Sequence, residues 1–560
     1  MSHSRKTERR PVSRRSAALL GACLAAWALT ACQTVRVDAE SAAALPSRFE
    51  DGAAAGQRQA KEDFANAPTV EWWKTLSNED LRQIVEAATA DNFSLQALEA
   101  NVKAAEATSD MARRDLLPKI GASGAGGYHS ASVTNILKDF PHPLIQQLAG
   151  RDKDKNQDGP HGLFVVDGSW DVDIFGKKRS DAAAAKSLAL SEKDKLEGAR
   201  RAVSYAAARQ YHALAALAFK DEALRRAEKT VRESLRYAQG RYEEGRATKL
   251  DQAPLEQKLD EIKAGRSAVA AGQTAAKNIL LALMGKTQDD DGMLKRIEGS
   301  LKAAAQSSAL WETGLSCAED PGLGAAPACA ATRPFALAAP FGLAPSSVLR
   351  ARPDVSSKLN LAQAAAAQTA SAKADLFPSF SLGFSGSGMK IDLEDFGKDL
   401  TSLAGLFNVG VRLPIFTAGR IQANIRSKEA KLEAALKDLD GTLVGALHEA
   451  NSAYALLSAA RSGESAAESR LNSAIRNNRN AEQYFKAGRI DYAERLKAQG
   501  EAIENAAAVI EANAKLADAK LKLYEALGGN VPDPDWRPAS TALGADPTPT
   551  SAQGGAGQAR

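Results

Sequence analysis

The sequence predicts a mixed α and membrane-β fold. An internally duplicated chain lends four strands to a trimeric, twelve-stranded β-barrel, which long helices continue as a tunnel. Three observations carry that reading. A set of landmarks occurs twice in the same order, two long stretches without proline carry apolar residues at helical spacing, and several short segments alternate apolar with polar residues. Composition agrees. At roughly 150 residues per domain, 560 residues would fill three or four globular domains. Aromatics are only 6%, however, and Ala and Leu dominate the apolar residues, which suits long, thinly packed helices better than several dense cores.

The first element is an address. Arg5, Lys6, Arg9, Arg10, Arg14 and Arg15 precede the apolar run Ala17–Leu29, which has secretory length and is too short to span a bilayer as a helix. It ends in Leu29-Thr30-Ala31-Cys32, which resembles a bacterial lipobox, so residues 1–31 read as a signal peptide and Cys32 as the lipidated residue. An ordinary signal with an incidental Cys is the alternative. Beyond residue 31 there remain 66 basic against 67 acidic residues, no surplus for a nucleic-acid binder. Residues 32–69 read as a polar tether, and Trp72 and Trp73 just beyond it as packing anchors. With Cys23 removed and Cys32 lipidated, Cys317 and Cys329 are expected to form a disulfide in an exported chain, a free pair being the alternative.

The repeats follow, at residues 70–299 and 347–531. Asp115-Leu116-Leu117-Pro118 recurs as Asp375-Leu376-Phe377-Pro378, and Ile174-Phe175-Gly176 with Arg179 as Ile415-Phe416-Thr417 with Arg420. Tyr242 to Arg246 recurs as Phe485 to Arg489, and Leu283-Met284-Gly285 as Ala526-Leu527-Gly528. Matching landmarks in fixed order are the signature of duplication. Each repeat reads helix, strand, loop, strand, long helix, tight break, long helix. In the second repeat Ile421, Ile425, Leu432, Leu436, Leu439, Leu443, Leu447, Ala450, Tyr454 and Leu457 lie on one helical stripe. Residues 300–346 read as an irregular insert and 532–560, rich in Pro, as a disordered tail.

Strands are placed by alternation. Phe164, Val166, Gly168, Trp170, Val172 and Ile174 alternate with polar residues, as do Phe380, Leu382 and Phe384, and Phe407, Val409, Val411 and Leu413. Lys119–Tyr128 is a weaker, Gly/Ala-rich fourth candidate, and the polar stretch Ala131–His161 reads as an exposed loop. Segments of this kind suit a transmembrane barrel. Four strands cannot close one, and an open edge in lipid leaves backbone groups unsatisfied at several kcal/mol each. Three chains would supply twelve strands.

The landmarks Glu71-Trp72-Trp73, Asn92-Phe93-Ser94-Leu95, Arg350-Ala351-Arg352-Pro353-Asp354-Val355, Ala374-Asp375-Leu376-Phe377-Pro378-Ser379 and Leu523-Tyr524-Glu525-Ala526-Leu527-Gly528-Gly529 resemble those of the TolC-like outer membrane efflux proteins. The likeness is to their NodT-like lipoprotein branch. It covers about residues 68–531. It implies a homotrimeric channel-tunnel in the outer membrane lipid with a periplasmic helical extension, fed by an inner-membrane RND pump through a periplasmic adaptor protein. Drugs or other small toxic molecules are the implied cargo. The exit duct of a type I protein secretion system is the alternative. No enzyme is expected, and no cofactor beyond the lipid on Cys32.

The resemblance also implies a periplasmic gate. Gly245 and Gly488 break two helical hairpins at equivalent places, and Asp251 and Glu494 follow each break by six residues. Three copies of each carboxylate around one axis would repel, raise their pKa values and favour cations or widening, a solvated helix face being the alternative for Asp251 and Glu494. Arg246 and Arg489 are expected to pair with neighbouring acids, with Tyr242 and Phe485 holding the aromatic place beside each break. Lys497 stands where some relatives carry a second acid, which departs from a two-tier acidic gate. Removing charge at Glu494 and Arg489 is expected to raise conductance.

Other motifs fail. Gly285-Lys286-Thr287 lacks the earlier glycine of a phosphate loop, since Leu280 stands there, and Gly285 reads as a helix end. His448-Glu449 lacks the second His of a zinc protease, Ser452 standing there, and the pair reads as lining or solvated. Gly383-Phe384-Ser385-Gly386 reads as strand. No metal ligand set and no nucleophile–base pair emerges.

Overall fold

The computed structural model describes residues 45–46, 49, 69–70, 72–75, 78–132, 156–311, 345–350, 352–391, 400–529 and 531–532. Cys32, Cys317 and Cys329 lie outside them, as do residues 533–560. The order is β1 (Thr69–Val70), α1 (Glu79–Asp91), α2 (Phe93–Arg114), β2 (Lys119–Ser132), β3 (Asn156–Val172), α3 (Lys177–Glu243), α4 (Ala253–Leu283), α5 (Met293–Ser307), α6 (Pro345–Arg350), α7 (Pro353–Ala374), β4 (Ser379–Ile391), β5 (Leu400–Arg412), α8 (Arg420–Lys486), α9 (Tyr492–Ala526) and β6 (Val531–Pro532). The duplication is visible in the lengths. α2 and α7 each have 22 residues, and α3 and α8 each have 67, about 100 Å of helix.

The chain divides into two compact units, the first holding Val102–Glu192 and Lys358–Asp438. Its centre is one antiparallel sheet in the order β2-β3-β4-β5. Register sorts the residues by face. Ile120, Gly168, Phe384 and Phe407 lie in one cross-strand row, and Trp170, Leu382 and Val409 in another on the same face. Lys119, Ser169, Gly383 and Asn408 form a row on the opposite face, with Asp171, Ser381 and Gly410. The expected alternation therefore builds one apolar and one mostly polar face. Leu406 is an apolar exception on the polar face, beside Ser385. Across the apolar face, a Cβ on Gly168 would sit 2.1 Å from the Phe384 ring, so the missing side chain is what lets the ring lie over β3.

Two strand expectations are corrected. Ile174 and Leu413 fall just beyond β3 and β5. The polar loop is shorter than its composition suggests, because Ala131 and Ser132 pair with Gln157 and Asn156. Ladder hydrogen bonding there overrides local propensity. At the foot of the sheet Phe175 stacks on Phe377 with centroids 4.8 Å apart, Lys177 pairs with Asp375 at 2.5 Å, and the Trp170 indole donates to the Leu116 carbonyl at 3.0 Å. The Asp173 carboxylate accepts from the Lys178 and Arg179 N–H groups, capping α3.

The second unit holds Ser41–Asn101, Lys193–Ser357 and Leu439–Arg560. Its core gathers Trp72, Leu81, Ile84, Tyr205, Leu214, Leu280, Ile297 and Tyr524. Trp72 stacks flat on Tyr205 at 5.3 Å and its indole donates to the Ser204 hydroxyl at 3.2 Å, which bears out the anchor reading. β1 pairs with β6, so Thr69 and Pro532 belong to a short ladder rather than to tether and tail. The expected irregular insert begins in order: residues 300–307 complete α5, and Leu301 and Ala305 are buried on its core stripe. On the α8 stripe, Leu439, Leu443, Ala450, Tyr454 and Leu457 are buried, as their spacing requires.

Candidate functional site: the hairpin breaks

Both long hairpins turn in the same way. The Gly245 N–H donates to the Tyr242 carbonyl and the Arg246 N–H to that of Arg241, at 3.0 and 2.8 Å; Gly488 to Phe485 and Arg489 to Tyr484 match at 2.9 and 2.8 Å. This is the Schellman ending, which needs a left-handed residue, and Gly245 and Gly488 have φ of 71° and 69°. Gly285 and Gly528 end α4 and α9 with the same pair of bonds.

Each break is followed by a cap. Asp251 accepts from the Thr248 N–H at 2.8 Å and from the Thr248 hydroxyl at 3.0 Å. Asp491 accepts from the Glu494 N–H at 2.9 Å. Asp251, in the short turn Lys249–Asp251 ahead of α4, and Glu494, in the first turn of α9, thus hold equivalent places after the two breaks, and Glu494 meets the positive end of its helix dipole. The Thr248 N–H and hydroxyl hold Asp251 below the usual carboxylate range, so within one chain its pKa moves down where the sequence reading expected a rise. The cause is local: two donors favour the charged form.

The predicted residues are only partly brought together. A groove of about 660 Å³ is lined by Arg246 and Asp251 from the first repeat, Lys497 from the second, and Tyr237, Arg241 and Leu496. Arg246 pairs with Glu244 at 3.4 Å and not with Asp251. Arg489 and Glu494 enter no ion pair among the described residues. Tyr242 is exposed, and Phe485 meets Tyr492 at 5.4 Å.

The connections between hairpins run through residues the sequence reading missed. Arg241 pairs with Asp491 at 3.5 Å and Lys258 with Glu504 at 3.4 Å. Tyr492 meets Tyr237 edge-on at 5.3 Å, Arg241 lies over Tyr237, and Arg495 lies over Tyr492. The Asp491-x-x-Glu494 spacing is a capping signature and could have located the second cap. The cross-hairpin pairing depends on which helices meet in space, and no local pattern announces it. These pairs are exposed, worth about 0–1 kcal/mol each and weakened by salt.

The Arg350–Val355 run has a different role. Pro353 opens α7, and Arg352, buried, grips Asp354 with two nitrogens at 2.9 and 3.0 Å, Glu449 at 2.8 Å and the Ala526 carbonyl at the end of α9. Glu449 is therefore an ion-pair partner and not merely a solvated or lining residue.

The profile of the outer membrane efflux protein family matches residues 84–286 and 344–529, across both repeats. The chain belongs to the outer membrane efflux protein family. Outer membrane protein OprJ of Pseudomonas aeruginosa is 26% identical over 520 residues, covering 91% of this chain and 95% of OprJ. The cation efflux system protein CusC of Escherichia coli is 23% identical over 523 residues, covering 91% of this chain and 99% of CusC. The crystal structure of the CmeC outer membrane channel of Campylobacter jejuni superimposes with a TM-score of 0.64 at 19% identity, over 88% of this chain and 93% of that one. The chain described here is thus an outer membrane efflux protein, and it has the fold of the CmeC channel. The secretion-duct alternative gains no support from these relatives.

Proposed function

We propose that the efflux protein is the passive exit duct of a tripartite pump. Three copies close the barrel, a lipid on Cys32 anchors each amino terminus, and an inner-membrane RND transporter delivers drugs or other small toxic molecules through a periplasmic adaptor. The observation that carries this reading is the sheet itself: one face apolar, the other mostly polar, and two edges, β2 and β5, that pair with no further strand among the described residues. Such a sheet is stable in lipid only when its edges are sealed. The duct supplies no chemistry and holds no cofactor. Purified protein is expected to give discrete conductance steps in planar bilayers; a chain that inserts without steps overturns the reading.

The hairpin breaks form the periplasmic gate, held by Arg241–Asp491 and Lys258–Glu504. Replacing Arg241 and Lys258 together by Ala is expected to raise single-channel conductance at fixed salt. Unchanged conductance places the constriction elsewhere.

A further inference from the structure

The duplication states how neighbouring copies meet. Within one chain, the step from β3 to β4 leads from the first repeat to the second. Around a ring of chains, the step from β5 to β2 of the next copy leads from a second repeat to a first. The two steps are quasi-equivalent, so the observed register of one gives the register of the other. The landmarks Ile174, Phe175 and Arg179 fix the correspondence of β3 with β5 through Ile415, Phe416 and Arg420. Asp115 and Pro118 fix that of β2 with β4 through Asp375 and Pro378. In the β3–β4 pair Trp170 lies opposite Leu382 and Val166 opposite Gly386. We propose that β5 of one copy pairs antiparallel with β2 of the next in the transferred register, with Val411 opposite Ala122, Val409 opposite Gly124 and Phe407 opposite Gly126. This rests on the trimeric reading above and adds the pairing.

Two checks are independent of the landmarks. The first is facing. Val411 shares the apolar face with Val172 and Phe380, and Ala122 shares it with Val166 and Gly386. The transferred register therefore keeps the apolar face continuous across the seam, whereas a slip by one residue would turn β2 inside out.

The second check is closure. Ala122, Val166, Gly386 and Gly405 lie side by side in one chain, and the transferred register sets Gly405 opposite Tyr128 of the next copy. The ladder thus climbs from position 122 to position 128 per chain. Over three chains that is a stagger of about 60 Å around a girth of about 58 Å, a strand tilt of about 45°. This is the upper end of the range for barrels. The two hairpins within the chain differ in register by two residues: Lys119 faces Ser169, whose landmark equivalent is Gly410, but Ser379 faces Arg412. A two-residue slip is therefore the alternative that matters. Setting Val411 opposite Gly124 would tilt the strands by about 54°, beyond that range, whereas setting it opposite Ile120 would tilt them by about 35°. Closure excludes the first slip, and the landmark correspondence decides against the second.

Side chains fit as well. β2 offers Ala122, Gly124 and Gly126 beneath Val411, Val409 and Phe407, as Gly168 accepts the Phe384 ring within the chain. At the foot, Phe416 is 88% exposed and Leu117 is 60% exposed. Their equivalents Phe175 and Phe377 are the pair that stacks. Phe416 then covers Leu117 of the neighbour.

The test uses full-length protein in outer membranes, with Cys317→Ser and Cys329→Ser removing the background thiols. Val411→Cys is combined in turn with Ile120→Cys, Ala122→Cys and Gly124→Cys, and Phe416→Cys with Leu117→Cys as a second reading. On oxidation the Ala122 combination is expected to give several-fold more cross-linked dimer than either neighbour, and the Phe416–Leu117 pair to cross-link also. A maximum at Ile120 or Gly124, or trimers without cross-links at any pair, overturns the register and leaves the trimer standing. Protein that stays monomeric overturns both.

Discussion

Replacing Arg352 by Ala is expected to lower stability by about 2–3 kcal/mol, less than the loss on removing one member of a fully buried ion pair, because both acid partners are half-exposed. Arg352 is only 8% exposed and ties the start of α7 to Glu449 in α8 and to the last carbonyl of α9. Its loss strands Asp354, whose side chain is half-exposed, and leaves the Ala526 carbonyl without that donor. Glu449 is also half-exposed, so water compensates part of its share. Lys at this position keeps the charge but not the planar fork, and is expected to recover only part of the loss. Acid gives a second reading. Burial of Asp354 works against its ionisation, but the bonds from Arg352 outweigh that and hold the carboxyl below its usual range. A depressed carboxylate stabilises the fold at neutral pH, and that contribution disappears as pH falls from about 4 through the depressed value. Thermal midpoints measured against pH are expected to fall steeply on this limb in the wild type and less steeply in Arg352→Ala. Parallel limbs would remove Asp354 from the account.

Trp72→Ala is expected to cost about 3–5 kcal/mol, the range for deleting a buried aromatic. Trp72 is 1% exposed, stacked flat on Tyr205 and edge-on to Trp73, so the deletion opens the core where the amino-terminal segment docks on α1 and α3. Trp72→Phe keeps an apolar ring against Tyr205 and loses the indole bond to Ser204, a loss of about 1 kcal/mol. Denaturation midpoints of the detergent-solubilised protein separate the two variants. Equal losses would show that the hydrogen bond, and not the packing, holds the segment.

Much of this fold was legible because its signals are periodic. Alternation at Phe164–Val172 and Phe380–Phe384 survived as cross-strand rows, and the stripe from Leu439 to Leu457 survived as a buried face. Glycines marked the four Schellman endings, at Gly245, Gly285, Gly488 and Gly528, since a left-handed ending requires a residue that tolerates it. What escaped is non-local. The reach of β3 back to Asn156 depends on its partner strand and not on the polar residues it contains. Arg352 was readable as a landmark, but its role was not, because Glu449 and Ala526 lie far along the chain. Asp251 and Arg246 line one groove at the break, and Asp491 carries a capping spacing, but its pairing with Arg241 across the hairpins has no local mark.

The central claim is that one chain carries an unfinished membrane sheet. The mass of the protein extracted from outer membranes in mild detergent, with bound detergent accounted for, tests it most directly. Three chains per particle is the expected result. A well-folded particle of a single chain, with β2 and β5 paired to each other, would contradict the account.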